Sequence, residues 1–237
     1  MSNILRATKY QLAMFIPQSL SCLLILAINI LISITVTNLF PGSGISAGSS
    51  DLIVLIWILI LGLSFFIPSF KFILSNAVSR KSLFWANILS LAIVSVIWAG
   101  VLTIVLSLIS KMNIKVIVLY NLFYKDNSTM GTMFWFIGIF FLLATLGWFI
   151  TMVYYRSSKR MSYAISFSPF ILSGLLTIIN QSTNGKLIDA FINFFITAMG
   201  FSGNIPNPYI GSFSMLLLTV IICSFNYLLI RKAQIKD

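Results

Sequence analysis

Residues 83–110 read LFWANILSLAIVSVIWAGVLTIVLSLIS, with no charged side chain anywhere in the run. A helix needs about 20 such residues to cross a bilayer, so this stretch is long enough to span one. Lys111 closes it on one side and Ser79-Arg80-Lys81 opens it on the other. Just upstream, a second apolar run, 52–74, passes into Phe72-Ile73-Leu74-Ser75-Asn76-Ala77-Val78-Ser79-Arg80-Lys81. That short basic segment is wedged between two candidate spans.

The pattern recurs along the chain. Six segments qualify as spanning helices: 16–39, 52–74, 83–110, 133–155, 161–180 and 212–230. Of 237 residues, 59% are hydrophobic and 8% charged, whereas a soluble domain carries about a quarter charged residues. The chain therefore reads as an integral membrane protein, one transmembrane domain over 1–237. Only helices and closed barrels satisfy their backbones in lipid. These runs are too long for barrel strands and lack period-two alternation, which leaves an all-α polytopic bundle.

Basic residues orient the bundle. Arg6 and Lys9; Lys71, Arg80 and Lys81; Arg156, Lys159 and Arg160; and Arg231, Lys232 and Lys236 fall on one side of the alternating spans. Lys111, Lys115, Lys125 and Lys186 fall on the other, with Asp51, Asp126 and Asp189. The positive-inside rule makes the first side cytoplasmic and puts both termini there. The net charge of +11 is explained in the same way, so no nucleic-acid partner is expected.

Between the spans, four segments have readings of their own. In residues 1–15, Ile4, Leu5, Leu12 and Phe15 share one helical arc and Asn3, Arg6, Lys9 and Tyr10 the opposite one. This predicts an amphipathic interfacial helix, either an anchor or a partner contact; the apolar run behind it is too long for a cleavable signal. The connector 41–50 is built of small residues and carries no motif. The patch 116–120 is too short to span and is expected along the surface. Residues 187–200 form an apolar run of half-membrane length, ended by Gly200 and followed by Pro206 and Pro208. Its length predicts a re-entrant hairpin over 187–210, with Asp189 near the helix start and Ser182, Thr183 or Asn184 as its cap. Asp189, Gly200, Pro206 and Pro208 are thus candidates for an external gate.

The chemical inventory is sparse. There is no phosphate loop, no His-Glu-x-x-His, no paired intramembrane Asp and no nucleophile beside a base. Ionisable residues stand only at span ends, which disfavours ion-coupled transport. Cys22 and Cys223 lie within apolar runs and read as packing or lipid-facing residues, not a disulfide framework. No catalytic, metal or cofactor-binding residue is assigned, and the chain is not expected to be an enzyme by itself. Uncharged polar residues do enter the spans, among them Thr35, Ser95, Thr103, Thr145 and Asn226. Asn29, Ser33 and Thr37 recur every four residues on one face, a candidate pathway or dimer face, with interhelical packing as the alternative. Trp135, Trp148, Tyr154 and Tyr155 read as an interfacial belt. Pro68 and Pro169 are expected to bend their helices or to have the freed carbonyl re-satisfied nearby.

Around the basic segment, Asn76 is expected to stop the second helix in the left-handed conformation and Ser79 to cap the third. Arg80 and Lys81 then oppose the dipole of that third helix. Their charge calls for anionic lipid headgroups or an acidic surface on a partner.

At these residues the chain resembles small permeases of the type-2 ATP-binding-cassette (ABC) exporter family of Gram-positive bacteria. In that family the turn commonly reads Asn-Gly-Val/Ile-Ser-Arg-Lys; here Ala77 stands where glycine is usual, so the break is expected to rest on Asn76. The likeness covers the topology as well: an interfacial first helix, six spans and a hairpin before the last. It implies that Ser75, Asn76, Ala77, Val78, Ser79, Arg80 and Lys81 form the coupling helix that docks on a separate cytoplasmic ABC ATPase subunit. ATP and Mg²⁺ would be bound there and not by this chain. It further implies a bacterial cell-membrane location and pairing with a second permease copy or a paralogue, the first, second and fifth spans lining the pathway. The implied cargo is amphipathic or hydrophobic peptide, exported as an antimicrobial or cytolytic product or for immunity. Export of lipid, drug or glycan precursor is an alternative, as is a non-transporting scaffold or sensor whose basic turn binds membrane lipids. A passive channel is disfavoured because no hydrophilic stripe runs through several spans.

Overall fold

A computed structural model describes residues 2–39, 49–111, 118–124, 128–183, 185–202, 206–231 and 233. Among them the chain is all-helical, 90% helix and without strands. The elements are α1 (Ser2–Leu39), α2 (Ser50–Ser64), α3 (Phe66–Ser75), α4 (Arg80–Lys111), α5 (Leu119–Phe123), α6 (Thr129–Arg156), α7 (Lys159–Ser182), α8 (Lys186–Ala198) and α9 (Pro208–Arg231). Six helical stretches are long and apolar enough to cross a membrane, with α2 and α3 forming one of them. This is the make-up of a multi-pass membrane protein. Most of the 41–50 connector lies outside the described residues, as do Lys115, Lys125, Asp126, Asn184, Lys232, Lys236 and Asp237.

The bundle is organised around α6, which packs on α2, α3, α4 and α9. Small residues allow that closeness, because without a hydrophobic drive in lipid, helices associate by tight van der Waals contact. A Cβ on Gly62 would collide with the Ala144 carbonyl, and one on Gly147 would lie 2.6 Å from the Leu59 carbonyl oxygen. Thr151 adds a cross-helix bond, donating to the Leu63 carbonyl at 2.7 Å, and Asn226 of α9 donates to the Thr145 carbonyl at 3.4 Å. The central place of α6 corrects the belt reading of its tryptophans. Trp135 and Trp148 are buried; Trp148 packs between Phe66 and Phe84, with ring centroids 6.3 and 5.9 Å away.

Both prolines behave as their chemistry demands. The helical path breaks at Phe65, where α2 gives way to α3, three residues before Pro68. Helix α7 continues through Pro169, and the Ser168 hydroxyl donates to the Ile165 carbonyl that Pro169 leaves without its usual partner. Cys22 and Cys223 are buried packing residues with free thiols.

Arg6, Arg80 and Arg231 gather at one end of the bundle, here called the basic end. The opposite end is closed by a strap built on α5; residues 116 and 117 lie outside the described residues, while Val118 and Leu119 are half-buried and Tyr120 is buried, not laid on the surface. Asp51, fully buried at the start of α2, accepts from the Leu52 and Leu119 N–H groups and so holds the first turn of α5. At the far end of α5, Tyr124 donates to the Met199 carbonyl at 2.8 Å, and its hydroxyl fills the space over Gly211. Burial pushes the Tyr124 phenol above the ordinary tyrosine range, which keeps the donor proton in place. Tyr120, Trp135 and Phe201 complete an aromatic cluster around it.

Candidate functional site

The basic turn between α3 and α4 is built by two interlocking caps. At the end of α3, the Ala77 N–H bonds the Leu74 carbonyl at 3.1 Å and the Val78 N–H the Ile73 carbonyl at 3.4 Å. That is a Schellman pattern, which requires a left-handed residue just past the helix. Ala77 is that residue, with φ 55°, whereas Asn76 has φ −89°. The expectation that Asn76 supplies the left-handed stop is thereby corrected: Asn76 turns its amide back to the Phe72 carbonyl at 2.8 Å, and Ser75 donates to the same oxygen. Val78 is tucked against the core while Ser75, Asn76, Ala77 and Ser79 stay exposed.

Ser79 caps α4 as expected, its Oγ accepting from the Ser82 N–H at 3.2 Å. Arg80 and Lys81 follow in the first turn. The Arg80 guanidinium donates to the Arg231 carbonyl at 2.6 Å, at the C-terminus of α9. Its charge, unfavourable over its own helix start, is placed where another helix dipole welcomes it. The chain thus supplies part of the compensation that sequence reasoning sought from lipid or a partner.

An L-residue in the left-handed region costs about 1–2 kcal/mol, and glycine in its place forfeits about 0.5–1 kcal/mol of chain entropy. Ala77→Gly is therefore expected to stabilise the turn by roughly 0.5–1 kcal/mol. Slower hydrogen exchange at the Val78 amide would register the gain; faster exchange would mean that the turn is not strained at Ala77.

Helix α1 grips this turn. It runs unbroken from Ser2 to Leu39, roughly 57 Å at 1.5 Å per residue, longer than a hydrocarbon core. Its first turns pack on the protein: Tyr10, placed on the polar arc by the sequence, stacks on Phe72 with centroids 4.3 Å apart. Deeper in, Gln11 is fully buried, donating to Asn87 and accepting from Ser90 of α4. A cavity of about 350 Å³ between α1 and the turn is lined by Asn3, Arg6, Asn76 and Val78 among others.

The stripe Asn29, Ser33 and Thr37 spends its groups within the chain. Asn29 accepts from Ser50 at the start of α2, Ser33 is buried and donates to the Asn29 carbonyl, and Thr37 donates to the Ser33 carbonyl. The geometry is that of α1 fastened to α2.

A different stripe, which sequence reasoning passed over, stands on α7. Lys159, Ser162, Ser166, Ser173, Thr177 and Asn180 fall within one 60° arc of a 100° wheel, and none of the α7 side chains is buried. Scoring each span for a polar arc, and not only for apolar length, would have found it. The Tyr154 hydroxyl and Ser166 Oγ, 2.8 Å apart, link α6 to α7.

The joint from α7 to α8 rests on Gly185, at φ 85°, which takes the cap position of α8 without a side-chain bond. Ser182 and Thr183 do not cap α8; both hydroxyls turn back to the Ile179 carbonyl. In α8, Lys186, Asp189, Asn193 and Thr197 share one arc, with Phe191, Phe194 and Phe195 on the apolar side. Asp189 is exposed. Gly200, at φ 78°, ends α8, and a Cβ there would stand 2.5 Å from the Asn207 carbonyl oxygen. Pro206 lies in that turn and Pro208 opens α9, where Asn207 accepts from the Tyr209 N–H as its cap. Asp189 is therefore separated from the Gly200, Pro206 and Pro208 turn by the length of α8.

No protein family, characterised protein or solved structure matches the chain.

Proposed function

We propose that this chain is the permease subunit of an ATP-driven exporter, coupled through the turn between α3 and α4 to a separate cytoplasmic ATPase. The observation that supports this most is the construction of that turn. Ser75 to Ser79 present an exposed backbone held by two caps, so a push there enters α3 and α4 directly and reaches α1 through Tyr10 and Gln11. Arg80 and Lys81 stand at its rim. The basic end is then the cytoplasmic one, with both termini inside a bacterial plasma membrane.

Helix α7 supports the second half of the reading. The hydroxyls of Ser162, Ser166, Ser173 and Thr177 donate to carbonyls of their own helix; small hydroxyl residues of this kind are enriched where membrane helices meet, and a second permease copy or paralogue facing α7 would enclose the arc as part of a pathway. The arc is uncharged above Lys159 and flanked by Phe167, Phe170 and Leu176, a surface matched to amphipathic or hydrophobic peptide. Beyond it, α8 lies in the outer leaflet with its polar arc toward the headgroups, closing the outer end of the pathway. ATP and Mg²⁺ belong to the partner subunit.

The test is capture. Tagged wild-type chain purified from its own membranes should bring down an ATP-hydrolysing protein, and amphipathic peptides should raise the ATPase rate of the reconstituted complex. Ser75→Trp, which adds bulk to the exposed turn, should cut the captured ATPase about tenfold, about 1.4 kcal/mol of binding, while membrane levels of the chain stay constant. Absence of any ATPase from the wild-type preparation would reject the exporter reading in favour of a scaffold or sensor.

A further inference from the structure

Helices α4 and α9 both pack on α6 more extensively than on each other, and a groove of about 790 Å³ lies between them. Its floor is Phe141 of α6, and its walls include Phe84 and Trp85 of α4 and Val220 and Leu228 of α9. Trp85, Val220 and Leu228 are more than half exposed, so the groove opens outward from the bundle. From Lys81 to Ile88 it follows α4 for roughly 10 Å into the span. At the basic end it meets a second pocket of about 510 Å³ lined by Ser79, Arg80, Ile230 and Arg231. Lys81 and Tyr227 line both.

Three cations therefore crown an apolar groove, and the carboxylates among the described residues, Asp51 and Asp189, stand at the opposite end. Arg80 spends one donor on the Arg231 carbonyl, and the remaining N–H groups of a guanidinium suit a phosphate. We propose that this composite site holds an anionic glycerophospholipid of the inner leaflet, its phosphate on Arg80 and Lys81 and an acyl chain in the groove. Charge complementarity selects the headgroup, and the depth of the apolar part selects a lipid over a soluble anion. An acidic protein surface could meet the cations but has no means of filling a groove that runs into the membrane. The bound lipid braces the start of α4 against the end of α9, where Arg80 already bridges them.

The proposal stands apart from the exporter reading, because its test needs no ATPase. Purified full-length chain is mixed with equal amounts of phosphatidylglycerol and phosphatidylcholine of identical acyl chains, and bound lipid is counted by native mass spectrometry. Wild type should retain phosphatidylglycerol about 25-fold over phosphatidylcholine, since Arg80 and Lys81 each contribute about a fivefold preference for anionic lipid. Arg80→Gln with Lys81→Gln should bring the ratio close to one. Ser224→Trp, which fills the groove and keeps every cation, should lower retention of both lipids. Millimolar glycerol phosphate should displace neither. A wild-type ratio near one, an unchanged ratio in the double variant, or full displacement by glycerol phosphate would overturn the site. So would release of a co-purified protein by the double variant with its lipid ratio unchanged, which would give the cations to a protein partner.

Discussion

Gly147→Ala is expected to lower the thermal midpoint of the detergent-solubilised protein sharply, and Gly147→Val to leave little that is monodisperse. The methyl group of alanine would stand 2.6 Å from the Leu59 carbonyl oxygen and 2.9 Å from backbone atoms of Gly62 and Leu63. All three obstacles are main chain, so no rotamer change relieves the clash; α2 and α6 must separate. Overpacking a close-fitted core costs about 1–3 kcal/mol, occasionally more, and here the separation would also stretch the Thr151 bond to Leu63. Gly100→Ala is the matched control: it too adds one methyl to a long apolar helix, yet nothing lies within 4 Å of that position. It should be neutral or mildly stabilising through helix propensity. Equal midpoints for the two alanine variants would show that α2 and α6 are not in backbone contact.

Asp51→Ala should release the strap at the opposite end of the bundle. The carboxylate gives one oxygen to the Leu52 N–H and the other to the Leu119 N–H, inside a fully buried position. Hydrogen bonds to a charged group contribute about 1.5–3 kcal/mol, and alanine leaves the Leu119 N–H of α5 without its acceptor. Asp51→Asn should fall between, since Leu52 and Leu119 are served by different oxygens and the amide puts an NH2 donor in place of one of them. Hydrogen exchange of the Leu119–Phe123 amides reads the outcome directly. Unchanged protection in the alanine variant would mean that α5 is held by its aromatic contacts alone, through Tyr120 and Tyr124.

The six spans were legible in the sequence because the cost of exposing backbone in lipid depends on run length and composition, and both are local. Ser79 was legible as a cap for a similar reason, its bond to Ser82 closing within one turn. The errors have a common cause. Trp148 reads as a belt residue because its distance from the helix end says nothing about which neighbours surround α6. Intrinsic preference points to Asn76 for the left-handed position, whereas the bonds from the Ala77 and Val78 N–H groups to Leu74 and Ile73 put that conformation on Ala77. The share of the Arg80 charge that the chain itself takes is invisible in the sequence, because the accepting carbonyl, that of Arg231, is 151 residues away.

The sequence by itself determined that this is an all-helical, multi-pass membrane protein with a basic turn between its second and third spans. The tertiary structure alone decided that α6 is the hub, that α1 and α9 hold the basic turn from two sides, and that no side chain of α7 is buried among the described residues. Hydropathy is a property of each segment and survives without its neighbours; helix pairing depends on glycine contacts and single hydrogen bonds between residues far apart in the chain, and these exist only once the bundle has closed.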